Sequence, residues 1–397
     1  MKKSLFLAVL LCCSLYLNTE AQTWSLKPSP TTNNLYGVAF RDSNTWIAVG
    51  DAGTIIRSTN GGSTWTSVSS PVADALRAVS FKGDTGIAVG IGGLVIRTKD
   101  GGLNWISETR PTTKPLYSVS VSPQMAAIGG EEGTILVSTD GGLNWTPHTA
   151  GTAAIIFGMS VLGEAGIGSG GQGDIIFSNQ LGAAWSLTVI GTLNTFFYGI
   201  SFATNKIGWT VGTSSTLGSI IARSNLAGVT WASQTSPVTD ILFGVSAIDT
   251  SNVTAVGGNG SIINTINGGK VWTVQPSGIT ETLNAVSFVK PKFGIAVGNG
   301  GKILKTTNIV SGIADISTNK YDNLIYPNPN NGNFFVKSET IISGIEIVNM
   351  IGEVIFSRQI QSDHMEIDLS NQPNGIYYYK LKSNNSVVNT GEIIIER

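Results

Sequence analysis

Histidine occurs only twice in this 397-residue chain, and its two positions limit the acid–base and metal chemistry that the chain can carry out. His148 lies in the middle of the chain and His364 near its end. Neither has a neighbouring Ser or Asp pattern that indicates a catalytic triad, and two histidines so far apart do not indicate a histidine-rich metal centre. We therefore expect both to be solvated surface residues, with no metal site and no cofactor.

Carboxylates offer the other route to catalysis, since two Asp or Glu side chains facing each other across a cleft can hydrolyse glycosidic bonds. The acidic candidates are scattered along the chain: Asp51, Asp74, Glu131, Glu132, Asp174, Asp240 and Glu281. The arginines show no grouping suited to hold a substrate carboxylate. We therefore expect a non-enzymatic binding protein, with a secreted glycoside hydrolase, sialidase-like or endoglucanase-like, as the alternative.

Composition narrows the class of partner. The chain has 24 basic and 25 acidic residues, so its net charge of −1 creates no long-range field for nucleic acid or anionic lipid. A hydrophobic fraction of 41% with 49 glycines and only 12% charged residues is typical of a well-packed β protein. We therefore expect a protein or a glycan as partner, and neither nucleic acid nor a membrane surface.

The first 21 residues are predicted to be a secretory signal peptide. Lys2 and Lys3 precede an apolar run from Leu5 to Leu17, which is short for a membrane span, and a cleavage site follows Ala21. Both cysteines of the chain, at 12 and 13, lie within this run. The mature protein is therefore expected to contain no thiol and no membrane span, and to reach the cell surface or the medium through the periplasm.

An internal repeat of about 40 residues organises the next 290 or so positions. One element, such as Ser138–Trp145, recurs in six copies that end at Trp65, Trp105, Trp145, Trp185, Trp231 and Trp272. A second element, such as Leu35–Phe40, recurs in seven copies that begin at Leu35, Leu76, Leu116, Ile156, Phe197, Leu242 and Leu283. Each unit contains four short strand patterns separated by Gly, Asn, Asp and Pro, which predicts a seven-bladed β-propeller over residues 22–308.

The mismatch between six and seven copies predicts how the ring closes. The segment around Trp24 matches a fourth strand without a blade of its own, because Trp24 precedes Leu35 by the same eleven residues that separate Trp65 from Leu76. The last unit breaks off near Asn308 without a Trp. We therefore expect the N-terminal strand to complete the seventh blade, which removes two unpaired edges.

The repeated turns resemble the Asp-box (BNR) motif, Ser-x-Asp-x-Gly-x-x-Trp. Asp100 and Asp140 occupy its acidic position, Asn60 and Asn267 are conservative departures, and Gln180 and Leu226 are strong ones. In such a hairpin the Asp or Asn caps backbone N–H groups, a glycine adopts positive φ, and the Trp packs the turn onto the blade. These four residues and the seven tryptophans, Trp24 included, are therefore expected to be structural, with looser turns in blades 4 and 5.

The whole repeat, with its Gly-Val-Ala-Phe and Ala-Val-Gly-x-x-Gly signatures, resembles the photosystem II assembly (stability) factor family. That resemblance implies a seven-bladed propeller that serves as a protein-binding scaffold.

A different pattern follows a polar linker predicted at 309–323. Tyr326–Phe334, Ile345–Glu353 and Asn374–Leu381 resemble the type A sorting domain of the type IX secretion system. Alternating apolar residues in residues 324–397 predict a small antiparallel β-sandwich. The resemblance implies that this domain engages the type IX secretion machinery and is removed or exchanged at the cell surface.

The second residue of each innermost propeller strand is the best candidate for ligand contact. These positions hold Tyr36, Arg77, Tyr117, Phe157, Tyr198, Phe243 and Asn284. Five aromatics and an arginine in one ring position match the composition of a recognition surface. Packing between adjacent blades would favour the same residues, so the sequence leaves open whether the ring is exposed or belongs to the core.

Overall fold

The computed structural model describes residues 23–291, 293–307, 324–349, 353–383 and 386–397. One compact unit comprises residues 21–308, and the C-terminal strands belong to a second unit. The predicted signal peptide and linker lie outside the described residues. Within the described ranges, no helix is long and apolar enough to cross a bilayer.

The first unit is a ring of seven four-stranded antiparallel sheets, which confirms the predicted seven-bladed propeller. The N-terminal strand is β1 (Thr23–Lys27). Blade 1 contains β2 (Leu35–Phe40), β3 (Trp46–Gly50), β4 (Ile55–Ser58) and β5 (Thr66–Ser67). Blade 2 contains β6 (Leu76–Lys82), β7 (Thr85–Gly90), β8 (Leu94–Thr98) and β9 (Ile106–Ser107). Blade 3 contains β10 (Leu116–Val121), β11 (Ala126–Gly130), β12 (Ile135–Ser138) and β13 (Thr146–His148).

The remaining blades repeat this order. Blade 4 contains β14 (Ile156–Leu162), β15 (Ala165–Gly170), β16 (Asp174–Ser178) and β17 (Ser186–Val189). Blade 5 contains β18 (Thr195–Phe202), β19 (Gly208–Ser214), β20 (Gly218–Ser224) and β21 (Trp231–Gln234). Blade 6 contains β22 (Leu242–Ala247), β23 (Val253–Gly257), β24 (Ile262–Thr265) and β25 (Thr273–Gln275). Blade 7 begins with β26 (Leu283–Lys290), β27 (Phe293–Gly298) and β28 (Ile303–Thr307).

In six of the seven blades a short 3-10 turn joins the second strand to the third. The turns are Asp51–Gly53, Ile91–Gly93, Glu131–Gly133, Gly171–Gly173, Gly258–Gly260 and Asn299–Gly301. Gly53 adopts a φ of +66°, and a Cβ there would lie 2.0 Å from the carbonyl oxygen of Val72. Glycine is therefore required by both conformation and space, and it holds the turn against the loop that leads to the next blade.

The N-terminal strand closes the ring as predicted. β1 pairs with β28 along five residue pairs, from Thr23 opposite Thr307 to Lys27 opposite Ile303. Trp24 is 8% exposed, and its indole contacts Phe288 edge-on at a centroid distance of 5.9 Å. Its Nε1–H donates to Gln275 Oε1 of blade 6 at 2.9 Å. The first and last segments of the propeller therefore share one blade.

The C-terminal unit is a five-stranded antiparallel sheet formed by β29 (Leu324–Tyr326), β30 (Asn333–Val348), β31 (Val354–Asp368), β32 (Gly375–Ser383) and β33 (Ser386–Ile395). The long β30 pairs with β29 at one end, with β32 at the other and with β31 along both halves. The backbone N–H of Asn330 donates to Ile394 O at 2.9 Å, and its carbonyl accepts from Glu396 N at 2.8 Å. The predicted small antiparallel β domain is present, and its sheet curls into a nearly closed barrel around Phe334, Ile347 and Leu381.

Candidate functional site

Every innermost strand of the propeller carries a β-bulge, at the second residue in six blades and at the fourth, Tyr198, in blade 5, where β18 begins two residues earlier. In blade 1, Leu35 lies opposite Gly50 and Gly37 opposite Val49, so Tyr36 has no partner in the ladder. The same irregularity occurs in the other six blades, at Arg77, Tyr117, Phe157, Tyr198, Phe243 and Asn284. A bulge re-aims the side chain of the extra residue. Here it turns seven side chains away from the blade interior.

These seven side chains line one cavity of about 270 Å³ at the mouth of the central channel. Each is half-buried, whereas the residue before it is 0–2% exposed. The structure therefore brings all six predicted contact residues together with Phe157, and it places them on the channel side of the fold. The residue before each bulge belongs instead to the buried core between blades.

Four of the aromatic side chains form a continuous arc around the mouth. Tyr117 contacts Phe157 at a ring-centroid distance of 5.7 Å, Phe157 contacts Tyr198 at 4.9 Å, and Tyr198 contacts Phe243 at 5.2 Å. Burial raises the pKa of the Tyr198 phenol, which therefore stays neutral near pH 7. This aromatic arc, defined as residues 117, 157, 198 and 243, presents ring edges and faces to anything that enters.

The rest of the ring is polar. The guanidinium of Arg77 lies 4.2 Å from the centroid of the Tyr36 ring, a cation–π contact. The hydroxyl of Tyr36 donates to Asp51 Oδ2 at 3.0 Å. Asn284 Nδ2 donates to Leu35 O at 2.8 Å and to Asn299 Oδ1 at 2.9 Å, which ties blade 7 to blade 1. Residues 284, 36 and 77 form a polar arc, in which hydrogen bonds hold Tyr36 and Asn284 and the cation–π contact places Arg77 beside Tyr36.

Below the mouth, a ring of aliphatic side chains narrows the channel. The second residue after each bulged position is 7–8% exposed: Val38, Val79, Val119, Met159, Ile200, Val245 and Val286. The residue between this ring and the bulged position is small, as at Gly244 and Ala285. Adjacent strands approach closely there, because a Cβ on Gly244 would lie 3.0 Å from Ala285 Cα. The site is thus a shallow well with an apolar floor and a wall that is aromatic on one side and polar on the other.

The acidic candidates lie in the blade-to-blade loops, in the turns and at the start of β16, and side-chain contacts engage six of the seven. Asp174 accepts a hydrogen bond from Thr152. Asp240 accepts hydrogen bonds from Asn259 and Ser261, both at 2.7 Å. The other contacts on this face are Asp74 with Arg110, Glu132 with Lys114 and Glu281 with Lys302. In the described part of the chain, no cluster of three or more His, Cys, Asp or Glu could hold a metal ion.

The Asp-box residues lie in the turns between third and fourth strands. Asp140 Oδ1 accepts from the backbone N–H groups of Leu143 and Asn144, both at 3.0 Å. The backbone and side-chain bonds from Asn144 lower the pKa of Asp140 to about 2. Asp100, Asn60 and Asn267 each accept a backbone N–H in the same way. Of the seven tryptophans, five are under 10% exposed, and Trp145 and Trp231 are partly buried.

The two weak boxes keep the shape of the turn. Leu181 and Ala227 adopt positive φ, 49° and 51°, where the strong boxes have glycine. Backbone bonds replace the missing acidic cap, from Ala183 N to Gln180 O and from Val229 N to Leu226 O, both at 2.9 Å. The turns in blades 4 and 5 are therefore closed by a main-chain carbonyl in place of the carboxylate, and their looser character stays a prediction.

Comparisons with known proteins agree with this architecture. Residues 17–168 match the family described as "Photosynthesis system II assembly factor YCF48". A structure of YCF48 bound to D1 peptide is 19% identical, with a TM-score of 0.60 over 72% of this chain and 96% of that one. YCF48 from Cyanidioschyzon merolae is 23% identical, with a TM-score of 0.58 over 72% and 98%. The WD40 repeats of RRP9 share the fold at 9% identity and a TM-score of 0.60, over the same shares of the two chains.

The C-terminal unit has its own match. Residues 324–396 match the family described as "Secretion system C-terminal sorting domain". No curated protein sequence matches the chain. The chain thus joins a propeller that resembles the photosystem II assembly factor family to a type IX secretion sorting domain, and this domain implies export to the cell surface or secretion.

Proposed function

We propose that this secreted propeller is a binding protein that holds a segment of a partner polypeptide in the well at the channel mouth. The observation that carries the proposal is the bulged ring position, which directs five aromatic side chains and Arg77 into one cavity. Large aromatic side chains and arginine are the residue types that contribute most to binding energy at protein interfaces.

The chemistry of the well favours a polypeptide over a sugar. Its aromatic arc and aliphatic floor match the apolar side chains of a polypeptide. On the opposite wall, the Arg77 guanidinium can donate hydrogen bonds to the backbone carbonyl oxygens of that polypeptide. The fold-level relative that was solved bound to D1 peptide supports the same class of ligand. The fixed hydrogen bonds of Tyr36 and Asn284 keep the wall preorganised, which lowers the entropy lost on binding.

A peptide library gives a direct test. We expect panning of a random phage-displayed peptide library on the purified mature chain to enrich sequences that bind the well. Tyr198→Ala or Arg77→Ala should weaken the binding of such a peptide, made synthetically, by roughly 30-fold. This is the effect of an interface residue that contributes about 2 kcal/mol to the binding free energy. Isothermal titration calorimetry measures the affinity, and a thermal melt checks that each variant stays folded.

The matched control is Leu103→Ala, on an Asp-box turn, where the side chain is 56% exposed. This variant should bind like the wild type. No enriched peptide, or equal affinity in the Tyr198 and control variants, would contradict the proposal. A large fall in melting temperature without a selective loss of binding would show instead that the ring residues are structural.

The same preparation tests the hydrolase alternative. The acidic side chains Asp74, Asp240 and Glu281 bond to residues of their own or an adjacent blade, so these contacts engage them within the fold. We therefore expect no turnover of sialosides or β-glucans. Turnover abolished by a single Asp or Glu substitution on this face would replace the binding assignment.

A further inference from the structure

Blade 5 departs from the repeat in two loops. The spacing from Trp185 to Phe197 is twelve residues, whereas the equivalent spacing from Trp65 to Leu76 is eleven. Blade 5 also lacks the three-residue 3-10 turn, because β19 and β20 each extend to seven residues and are joined by a longer hairpin around Leu217. Both departures lie at the end of the blade that faces the channel mouth.

Between these two loops lies a pocket of about 200 Å³, which we call the blade 5 pocket. Its interior is formed by Ile190, Phe197, Ile221 and Trp231. Phe197 is 2% exposed and Ile221 is 0% exposed, so the pocket reaches into the core of the blade. A cavity of about 150 Å³ lined by Leu, Ile and Phe is large enough to hold benzene. The blade 5 pocket therefore has room for one large apolar side chain.

Polar groups of Trp231, Ser214 and Gln234 in the lining already have hydrogen-bond partners. Trp231 Nε1–H donates to Gly228 O at 2.8 Å, and Ser214 Oγ accepts from Leu217 N at 3.1 Å. The amide of Gln234 accepts from Trp272 Nε1 at 3.0 Å and donates to Gly268 O at 3.1 Å. None of the lining residues is charged. A charged ligand group would lose its hydration here without gaining a partner, so the pocket selects uncharged apolar groups.

The blade 5 pocket adjoins the well. Phe196, which stands between the lining residues Thr195 and Phe197, stacks on Tyr198 of the aromatic arc at 6.4 Å and 14°. Leu217 at the rim is 73% exposed, and Leu193 on the neighbouring loop is 74% exposed. Large apolar side chains left exposed beside a pocket are typical of a partner surface. A segment held in the well can therefore reach this rim.

We propose that the blade 5 pocket is an anchor site that receives one uncharged apolar side chain, such as Leu, Met or Phe, from the polypeptide bound in the well. The apolar specificity of the pocket is argued from the geometry of blade 5 alone, whereas the source of the side chain that enters it rests on the proposed function. Because none of the other blades has this pair of loops, the anchor also helps to fix the direction in which a bound segment lies across the ring of blades.

N-acetyl-leucinamide is a suitable probe, because it presents a leucine side chain without charge. In methyl NMR spectra of the mature chain, we expect saturable shifts at Ile190, Ile220 and Leu217, and none with N-acetyl-lysinamide. Thr216→Trp, a substitution at the exposed rim, should close the opening and weaken binding at least about tenfold, or 1.4 kcal/mol. Ala222→Leu should also weaken binding, because the larger side chain would fill part of the pocket. Leu103→Trp, on the exposed surface, serves as the control and should leave binding unchanged.

The outcomes separate this inference from the proposed function. Absent shifts, or equal shifts with the lysine probe, overturn the anchor site. Peptides that lose affinity in Tyr198→Ala but keep it in Thr216→Trp also overturn the anchor site, while the proposed function stands. If no peptide binds the well, yet the leucine probe saturates the pocket and Thr216→Trp blocks it, the proposed function fails and the apolar specificity of the pocket is supported.

Discussion

Removing residues 22–30 should destabilise the propeller far more than removing residues 324–397. The shorter deletion takes away β1, which contributes five residue pairs with β28 and the buried indole of Trp24. The longer deletion removes strands that pack around a hydrophobic core of their own, which includes Phe334 and Ile347. The first therefore opens the ring, whereas the second should leave all seven blades complete.

The magnitude follows from the contacts of Trp24. Loss of a large buried aromatic side chain costs about 3 to 5 kcal/mol. Gln275 is 7% exposed and loses its bond from the indole N–H, which adds about 1 to 3 kcal/mol. The sum of about 4 to 8 kcal/mol is a large part of a typical margin of about 5 to 15 kcal/mol. At roughly 2 °C or more per kcal/mol, the melting temperature should fall by about 8 °C or more.

Thermal melts followed by near-ultraviolet circular dichroism compare the two deletions with the mature chain. A pair of point variants isolates the cause, since Trp24→Ala should reproduce much of the loss while Leu26→Ala, at a residue 53% exposed on the same strand, should not. Closure by a shared blade is refuted if the deletion of residues 22–30 melts together with the mature chain.

Two further variants test the blades themselves. Asp140→Asn should make stability depend less on pH in acid. The low native pKa of Asp140 means that its carboxylate stabilises the fold above pH 3.8 and loses this effect as the pH falls to about 2. Urea midpoints measured at both ends of that range would detect the difference between the two proteins. An equal acid-induced loss in both proteins would contradict this role. Ser120→Ala should lower the free energy of unfolding in urea by about 1 kcal/mol, because Val161 N loses its 2.9 Å bond to Ser120 Oγ between blades 3 and 4. The control Ser107→Ala, at an exposed residue, should lower it by less than half as much. Equal losses in the two serine variants would show that the bond between blades contributes nothing.

The repeat made the propeller predictable in detail. Because each blade must bury the same faces, the pattern of Leu, Gly and Trp recurs at a fixed spacing, and the surplus of one strand at Trp24 indicated the closure before any coordinates were known. The sorting domain was equally recognisable, because its segments resemble a known domain at close spacing. Its single curled sheet was not predictable, since the bend in β30 depends on pairing with strands distant in sequence.

The ring of candidate contact residues was predicted only in part. Counting along the strands identified the second position, but strict alternation gave no sign of the bulge that turns Tyr36 or Tyr198 toward the channel. Sequence analysis also missed the blade 5 pocket. Two signals were present, the twelve-residue spacing before Phe197 and the longer segment between Gly212 and Gly218, but neither reveals a cavity by itself.

The sequence by itself determined the number of blades, the closing strand, the absence of thiols beyond residue 21 and the export domain, because each follows from local pattern or residue count. Only the tertiary structure decided that Tyr117 and Phe243 lie around one well and that two irregular loops of blade 5 enclose a pocket. The physical reason is that a ligand site is formed by side chains from different blades. Their approach depends on ring closure and on bulges, which hydrogen bonds between strands establish and no single segment encodes.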